Sequence, residues 1–375
     1  HFASILLIAS LLSVKYSRFE LCKIIYQFAF IFVAIYTLYF LFSYISHISN
    51  SFSPLWPADS IFTIEGAVGI IFSDTLLFSY IRFFNHIQTW TFPLLFSLVL
   101  ITKQKQQKAV LLILLTIWWA LLIQSGGRGT FVAIVLSFFV IISLFDTSRK
   151  ERAFVFIGSL ISGLVTYLVL FYTHSAPFRD ITREGTSGRI AMWEKTWAMF
   201  LENPVLGKGP LSYSIIQNNE LHFAHPHNFY LQILAEWGGF VFIGMFIVIV
   251  YVFNNSSKVI KKSTHKLHKE LEIGLFGSII AAFLHAGLSQ ILHTPLSQVF
   301  FLFIIAWLIK ITAKGKHIFE FKLYVPSILS MILIIIFLFL SFDSIIEIFN
   351  GYETYLETHQ TNKMYPRIWG QGLNE

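Results

Sequence analysis

Long apolar runs separated by short basic loops constrain the fold of this chain more than any other feature. Of its 375 residues, 55% are hydrophobic and only 13% are charged. A soluble protein of that composition would expose too much apolar surface, so the chain is a polytopic membrane protein. The runs are unbroken, whereas a membrane β-barrel would show alternating segments of about ten residues. We therefore predict an all-α bundle of about 10–12 transmembrane helices with one large loop.

Ten apolar runs are predicted to be membrane helices, although several are shorter than the roughly 20 residues of a straight span. They are Phe2–Val14, Cys22–Ile45, Thr89–Ile101, Ala109–Ile123, Thr130–Phe145, Ala153–Thr173, Phe229–Phe253, Leu271–Leu292, Ser297–Ile311 and Leu323–Phe342. The Asp59–Phe84 stretch is mildly apolar but carries acidic and turn-prone positions, and its crossing of the membrane is left open. Because the chain begins at His1 close to an apolar run, we expect further sequence and helices upstream.

The distribution of lysine and arginine predicts the orientation. Five loops that helix parity places on one side hold 18 of the 27 basic residues: Lys15–Lys23, Lys103–Lys108, Asp146–Arg152, Asn254–Glu270 and Lys310–Lys322. By the positive-inside rule, this side is cytoplasmic. The predicted organisation is therefore N-terminal membrane helices (1–173), a large periplasmic loop (174–228), C-terminal membrane helices (229–343) and a short tail (344–375). In a bacterium the side opposite the basic loops would be the periplasm or the cell exterior.

Cysteine content and net charge exclude other classes. The single Cys22 excludes a disulfide within this chain and a metal site built from cysteines. The net charge of +7 arises mostly from the basic loops, as a membrane topology requires, and does not indicate nucleic acid.

The large polar loop concentrates side chains that could bind an anion or perform chemistry. Among its residues are Arg179, Arg183, Arg189, His222, His225 and His227. Since the surrounding sequence is almost entirely apolar, we look for the function here.

Arg128 lies in a Ser-Gly-Gly-Arg-Gly turn between two apolar runs, on the side where the positive-inside rule discourages arginine. The glycines allow a ligand to approach the backbone closely, and a planar guanidinium suits phosphate oxygens. An anion-binding role is therefore favoured over an arginine that only extends to the lipid headgroups.

Arg189 begins a segment in which apolar residues recur at helical spacing. We predict an amphipathic helix with Ser187 as its N-cap and an end at Asn203-Pro204. Arg189 then lies in the first turn, where the helix dipole also favours an anion. The tryptophans of this helix, Trp193 and Trp197, are interpreted as anchors at the membrane interface.

The sequence His225-Pro226-His227-Asn228 directly precedes an apolar run. Asn228 is predicted to cap the helix, and His227 to act as a general base or to orient an acceptor. Metal binding by the histidines is the rival function, but no nearby carboxylate completes a zinc site.

A further polar cluster contains Arg82 and His86, for which substrate binding and a plain helix start are equally favoured. His285 and His293 are expected to form hydrogen bonds between helices.

These motifs resemble the O-antigen ligase and polymerase superfamily. The resemblance is carried by Arg128 in its glycine-rich turn, by the run from Gly188 to Gly209, by His225–Gly239, and by the Phe84–Gln88 segment. It covers most of the chain in topology, while the motifs themselves do not separate one member from another.

The resemblance implies a glycosyltransferase bundle of the C type, with a periplasmic loop over a cavity. It implies a glycan on undecaprenyl diphosphate as donor, the lipid A–core of lipopolysaccharide as acceptor, and neither cofactor nor metal. Arg128 and Arg189 would hold the diphosphate and His227 would activate the acceptor hydroxyl. Arg82, His86, Arg183, His225 and Asn228 would contribute to substrate binding.

The sequence leaves several functions open. A ligase is the first expectation, and a repeat-unit polymerase differs from it only in the acceptor. A transporter of lipid-linked glycans belongs to another class, and the nearly charge-free helix centres argue against it. Direct attack by the acceptor would invert the anomeric carbon, and no acid of the loop stands out as the nucleophile of a retaining route.

Overall fold

The computed structural model describes residues 2–48, 81–172, 188–210, 212–213 and 225–312. Within these ranges the chain forms ten α-helices and no strand. The helices are α1 (Phe2–Lys15), α2 (Arg18–Ile48), α3 (Ile81–Ile101), α4 (Lys105–Gln124), α5 (Arg128–Leu144), α6 (Arg149–Tyr167), α7 (Arg189–Glu202), α8 (Phe229–Lys262), α9 (Lys266–Ala286) and α10 (Pro295–Thr312). A π-helical turn, Leu168–Tyr172, continues α6.

The all-α membrane class is confirmed. Five helices are long and apolar enough to cross a membrane: Arg18–Leu38, Arg82–Ile101, Lys105–Gln124, Arg149–Leu170 and Phe229–Lys262. Shorter apolar helices accompany them at Ser4–Lys15, Arg128–Leu144 and Leu296–Thr312. The tenth predicted run, Leu323–Phe342, and most of the Asp59–Phe84 stretch lie outside the described residues.

Several predicted helix boundaries were wrong, including the end of α8, which lies at Lys262 rather than Phe253. The third run was expected to start at Thr89, but α3 begins at Ile81, because the polar side chains that precede Thr89 are buried in protein rather than facing lipid. The run expected to end at Leu292 stops at Ala286, where Gly287 forms the C-cap and a turn follows.

Close helix contacts build the core around α3, α4 and α6. Trp90, Trp118 and Trp119 are fully buried. A Cβ on Gly163 of α6 would lie 2.2 Å from the Cβ of Trp119, so only glycine permits this approach of α6 to α4. Small residues at such crossings are the usual means of close packing between membrane helices.

Buried ion pairs fix the start of α9 at one end of the bundle. Arg152 Nη2 lies 2.6 Å from Glu270 Oε2 with both side chains buried, and Arg18 is paired with the buried Glu272. The Tyr26 hydroxyl also donates to Leu271 O at 2.8 Å. The α1–α2, α5–α6 and α8–α9 connections, which carry predicted basic loops, therefore lie at the same end. We call it the basic end.

Three described residues belong to a second compact unit. These are Ser212, Tyr213 and His225, and all three are buried. The remaining described residues, up to Pro210 and from Pro226 onward, form the larger unit that contains the helices.

Candidate functional site

Polar side chains from five elements converge at the end of the bundle opposite the basic end. They come from the start of α3, the α4–α5 turn, α7, the start of α8 and the end of α9. We call this the site end.

The Ser125–Gly129 turn lies directly on α3. Asn85 Nδ2 donates to Ser125 Oγ at 2.7 Å, and Arg82 Nη1 donates to Gly126 O at 3.3 Å. A Cβ on Gly127 would lie 2.9 Å from Asn85 Nδ2, so a side chain would push the turn away from α3. The glycines thus permit the close packing that holds the turn beside Arg82.

Arg128 and Arg189 each form the first residue of a helix that follows a glycine N-cap. Gly127 precedes α5 and Gly188 (φ 73°) precedes α7, and neither helix start has a side-chain cap. The predicted cap Ser187 was therefore wrong, since the capping position is Gly188. A helix start combined with a guanidinium is electrostatically favourable for an anion. Arg128 is exposed and Arg189 is half-buried.

His285, at the end of α9, lies against Thr89 of α3 and Gly129 of α5. Its Nδ1 lies 2.8 Å from Thr89 Oγ1 on α3, which confirms the expected hydrogen bond between helices. The ring is buried, and the positive charges of Arg189 and Arg82 also act on it. The helix α3, the start of α5 and the end of α9 therefore meet at this histidine.

His86 lies next to His285 and is completely buried. Its Nε2 is 2.8 Å from Ser289 Oγ, and its Nδ1 is 3.2 Å from Thr294 Oγ1. Its ring centroid lies 5.3 Å from that of His285 in an edge-on arrangement. His86 therefore ties α3 to the α9–α10 connection, and its contact with a substrate remains a prediction.

Asn228 caps α8, as predicted. Its side chain accepts hydrogen bonds from Tyr230 N and Leu231 N, each at 3.1 Å. His227, just before it, is half-buried and has a left-handed backbone with φ 53°. That conformation is uncommon for a residue other than glycine.

The backbone around His227 is held between α7 and α9. On one side, Trp193 Nε1 of α7 donates to Pro226 O at 3.0 Å. On the other, the Tyr230 hydroxyl donates to Phe283 O of α9 at 2.7 Å. Trp193 was expected to be a membrane anchor; its indole forms a hydrogen bond within the protein, and the anchoring role stays a prediction. His227 thus lies at the same end of the bundle as Arg128 and Arg189.

His225 belongs to the second compact unit and is buried. Burial lowers the pKa of its ring to about 4. The ring is therefore neutral at physiological pH.

The segment after α7 pairs with α8 through its backbone. Three hydrogen bonds of 2.7–2.9 Å join them: Lys208 N to Ala235 O, Gly209 N to Glu236 O, and Gly239 N to Pro204 O. Gly238 interrupts the helical geometry of α8 with φ 78° and ψ 174°. The two glycine-rich motifs of the sequence are therefore two sides of one junction, which fixes α7 beside the start of α8.

Two further predictions concern Arg183 and metal binding. Arg183 lies outside the described residues. Across the part of the chain that the structure describes, no group of three His, Cys, Asp or Glu side chains could hold a metal ion.

The hydroxyl partners of the buried histidines were not found from the sequence. Thr89, Ser289 and Thr294 bond to His285 or His86. Serine and threonine are common in apolar helices, where they often bond to their own backbone, so their presence gives no signal of a partner.

The helices and this end of the bundle define a polytopic α-helical membrane protein with a polar site rich in arginine and histidine. Residues 109–247 match the family model described as O-Antigen ligase. The resemblance of the motifs to the O-antigen ligase superfamily is thereby confirmed. Comparison with curated proteins and with solved structures found no match.

The matched region runs from α4 into α8. It contains Arg128, Arg189 and His227, whereas Arg82, His86 and His285 lie outside it.

Proposed function

We propose that this protein is an O-antigen ligase. It transfers a glycan from undecaprenyl diphosphate to a hydroxyl group of lipid A–core, without a metal ion and with inversion of the anomeric carbon. The family match supports a lipid-linked glycan and a lipid acceptor in general. The observation that carries the more specific proposal is the gathering of two helix-initiating arginines and a histidine at one end of a membrane bundle.

The arginines would act on the leaving group. As the bond between sugar and phosphate breaks, negative charge grows on the lipid diphosphate. Arg128 and Arg189, each at a helix start without a side-chain cap, could stabilise that charge. One preorganised electrostatic contact of this kind typically lowers a barrier by about 3–4 kcal/mol.

His227 would act on the acceptor. A positioned base accelerates attack by a hydroxyl group by about 10²–10⁴-fold. The left-handed backbone of His227 supports this role, because strained residues cluster at functional sites. Attack by the acceptor directly on the anomeric carbon gives inversion in a single step.

The proposed location is the bacterial inner membrane with the site end in the periplasm. The five candidate spans support membrane insertion. The gathering of basic connections at the opposite end supports a cytoplasmic assignment for that end.

The test is a lipopolysaccharide gel of a deletion strain. Loss of a ligase leaves bare core and accumulates undecaprenyl-linked polymer, whereas loss of a repeat-unit polymerase leaves core capped with a single repeat. We expect the ligase pattern. The single-repeat pattern would indicate that the protein is a repeat-unit polymerase instead. Such a polymerase shares the donor but uses a lipid-linked acceptor.

Complementation of that strain tests the residues. Arg189→Ala and His227→Ala should each fail to restore long-chain lipopolysaccharide at normal protein level. Arg149→Ala, an exposed arginine at the basic end, is the matched control and should restore it. Full restoration of long-chain lipopolysaccharide by both site variants would contradict the proposed roles of Arg189 and His227.

A further inference from the structure

We propose that His285 binds the diphosphate of the lipid-linked donor through its Nε2 atom, as a further group beside the arginines of the site end. This inference rests on the proposed function and adds a residue that lies outside the matched region. The imidazole would add a directed hydrogen-bond donor to a site otherwise built from guanidinium groups.

The position of His285 is the first argument. It is 4% exposed, at the last turn of α9, where the helix meets the glycine-rich turn. Gly129, which follows Arg128, lies against the ring, and the positive charges of Arg189 and Arg82 also act on it. An anion held by these arginines would therefore lie close to the imidazole.

The direction of the ring is the second argument. Its Nδ1 is occupied by Thr89 Oγ1 at 2.8 Å. Its Nε2 lies on the side of Gly129, where an added Cβ would be 3.2 Å away. Since Gly129 follows Arg128 at the start of α5, Nε2 faces the beginning of the helix that is proposed to bind the anion.

The hydrogen-bond network around Thr89 allows Nε2 to carry the proton. Thr89 Oγ1 lies 3.0 Å from Asn85 O as well as 2.8 Å from Nδ1 of His285, and its single proton can go to either acceptor. Because Thr130 Oγ1 also donates to Asn85 O at 3.2 Å, that carbonyl keeps a donor when the Thr89 proton goes to Nδ1. A neutral imidazole that accepts at Nδ1 donates at Nε2. That N–H can then donate to a phosphoryl oxygen.

Two amide substitutions test which of the two ring nitrogens binds the phosphate. Glutamine places an amide nitrogen near the Nε2 position and asparagine places one near Nδ1. The purified full-length variants His285→Gln, His285→Asn and His285→Ala would be titrated with undecaprenyl diphosphate in micelles and, separately, with inorganic pyrophosphate. Steady-state transfer would give KM for the donor and kcat.

We expect His285→Ala and His285→Asn to weaken binding of both probes by about 10–100-fold, the effect of losing one hydrogen bond to a charged group. His285→Gln should retain most of the affinity. Equal loss in the glutamine and asparagine variants, or retention by asparagine alone, would overturn the inference, because the ring would then act only through Thr89. An effect on the lipid but not on pyrophosphate would also overturn it, since the contact would not be with phosphate.

Two controls keep this test distinct from that of the proposed function. His265→Gln changes a histidine at the opposite end of α9 and should leave affinity and rate unchanged. Arg189→Ala should slow transfer by about 100-fold or more. If Arg189→Ala loses activity while His285→Ala matches the wild type, the inference fails alone; if Arg189→Ala is also unaffected, the proposed function fails with it.

Discussion

Gly238 has a backbone conformation that few other residues could adopt. It lies within α8 with φ 78°, and an added Cβ would come within 2.2 Å of Val205 O. The kink that it produces allows the segment following α7 to form backbone hydrogen bonds with α8. The position of α7, and with it Arg189, therefore depends on the absence of a side chain at one residue.

Replacement of Gly238 by alanine should destabilise the protein by about 2–5 kcal/mol, from the strained backbone and the overlap with Val205. Thermal unfolding in detergent would measure this as a lower Tm. Gly244→Ala is the matched control, because a Cβ there meets nothing within 4 Å. Equal Tm values for the two variants would contradict the account of the junction.

Individual site residues were predictable where a local rule applies. Asn228 could be predicted as a cap because it precedes an apolar run, and the structure confirms it. Ser187 followed the same rule and was wrong, since Gly188 occupies the capping position. Thr89 could not be found, because its role depends on a histidine far along the chain.

The position of α9 depends on two ion pairs at its start. Glu270 binds Arg152 of α6, and Glu272 binds Arg18 of α2. The two glutamates lie two residues apart and reach different neighbouring helices. At its other end α9 carries His285, so these pairs and the site are joined by a single helix.

Arg152→Ala should destabilise the protein by about 3–5 kcal/mol, because it leaves the carboxylate of Glu270 buried without its cation. Arg149→Ala removes an exposed pair with Asp146 three residues earlier and should cost about 0–1 kcal/mol. Both would be measured by denaturant unfolding in micelles. If Arg152→Ala were as mild as Arg149→Ala, the pair would not hold α9 in place.

At the level of elements, the sequence predicted which segments are helical better than where they end. Hydrophobicity identifies a span, but α3 extends through Asn85, His86 and Gln88, whose polar side chains are buried among other helices. Such burial depends on tertiary contacts. Likewise, the amphipathic α7 was predicted, but the face that packs on protein was not.

The buried face of α7 contains Met192, Thr196 and Met199. Ile190, Trp197 and Leu201 remain about half exposed or more, at 50%, 45% and 60%. This apolar surface is consistent with a helix at the membrane interface, the environment expected for Trp197.

At the scale of the whole molecule, charge and hydropathy predicted that the basic loops and the candidate site residues lie at opposite ends of the bundle. Basic connections and buried ion pairs lie at one end, and arginines, histidines and glycine-rich turns lie at the other. The sequence could not predict the meeting of α3, α5 and α9 at His285, because no periodicity relates segments so distant in the chain.

The central claim is that Arg128, Arg189 and His227 transfer a glycan from a lipid diphosphate without a metal ion. Purified protein would be incubated with an undecaprenyl diphosphate-linked glycan and lipid A–core in EDTA, and product formation followed over time. The wild type should form product, and Arg189→Ala should be slower by about 100-fold or more. A wild type that is inactive until a divalent ion is added, or an Arg189→Ala variant that transfers at the wild-type rate, would contradict the claim.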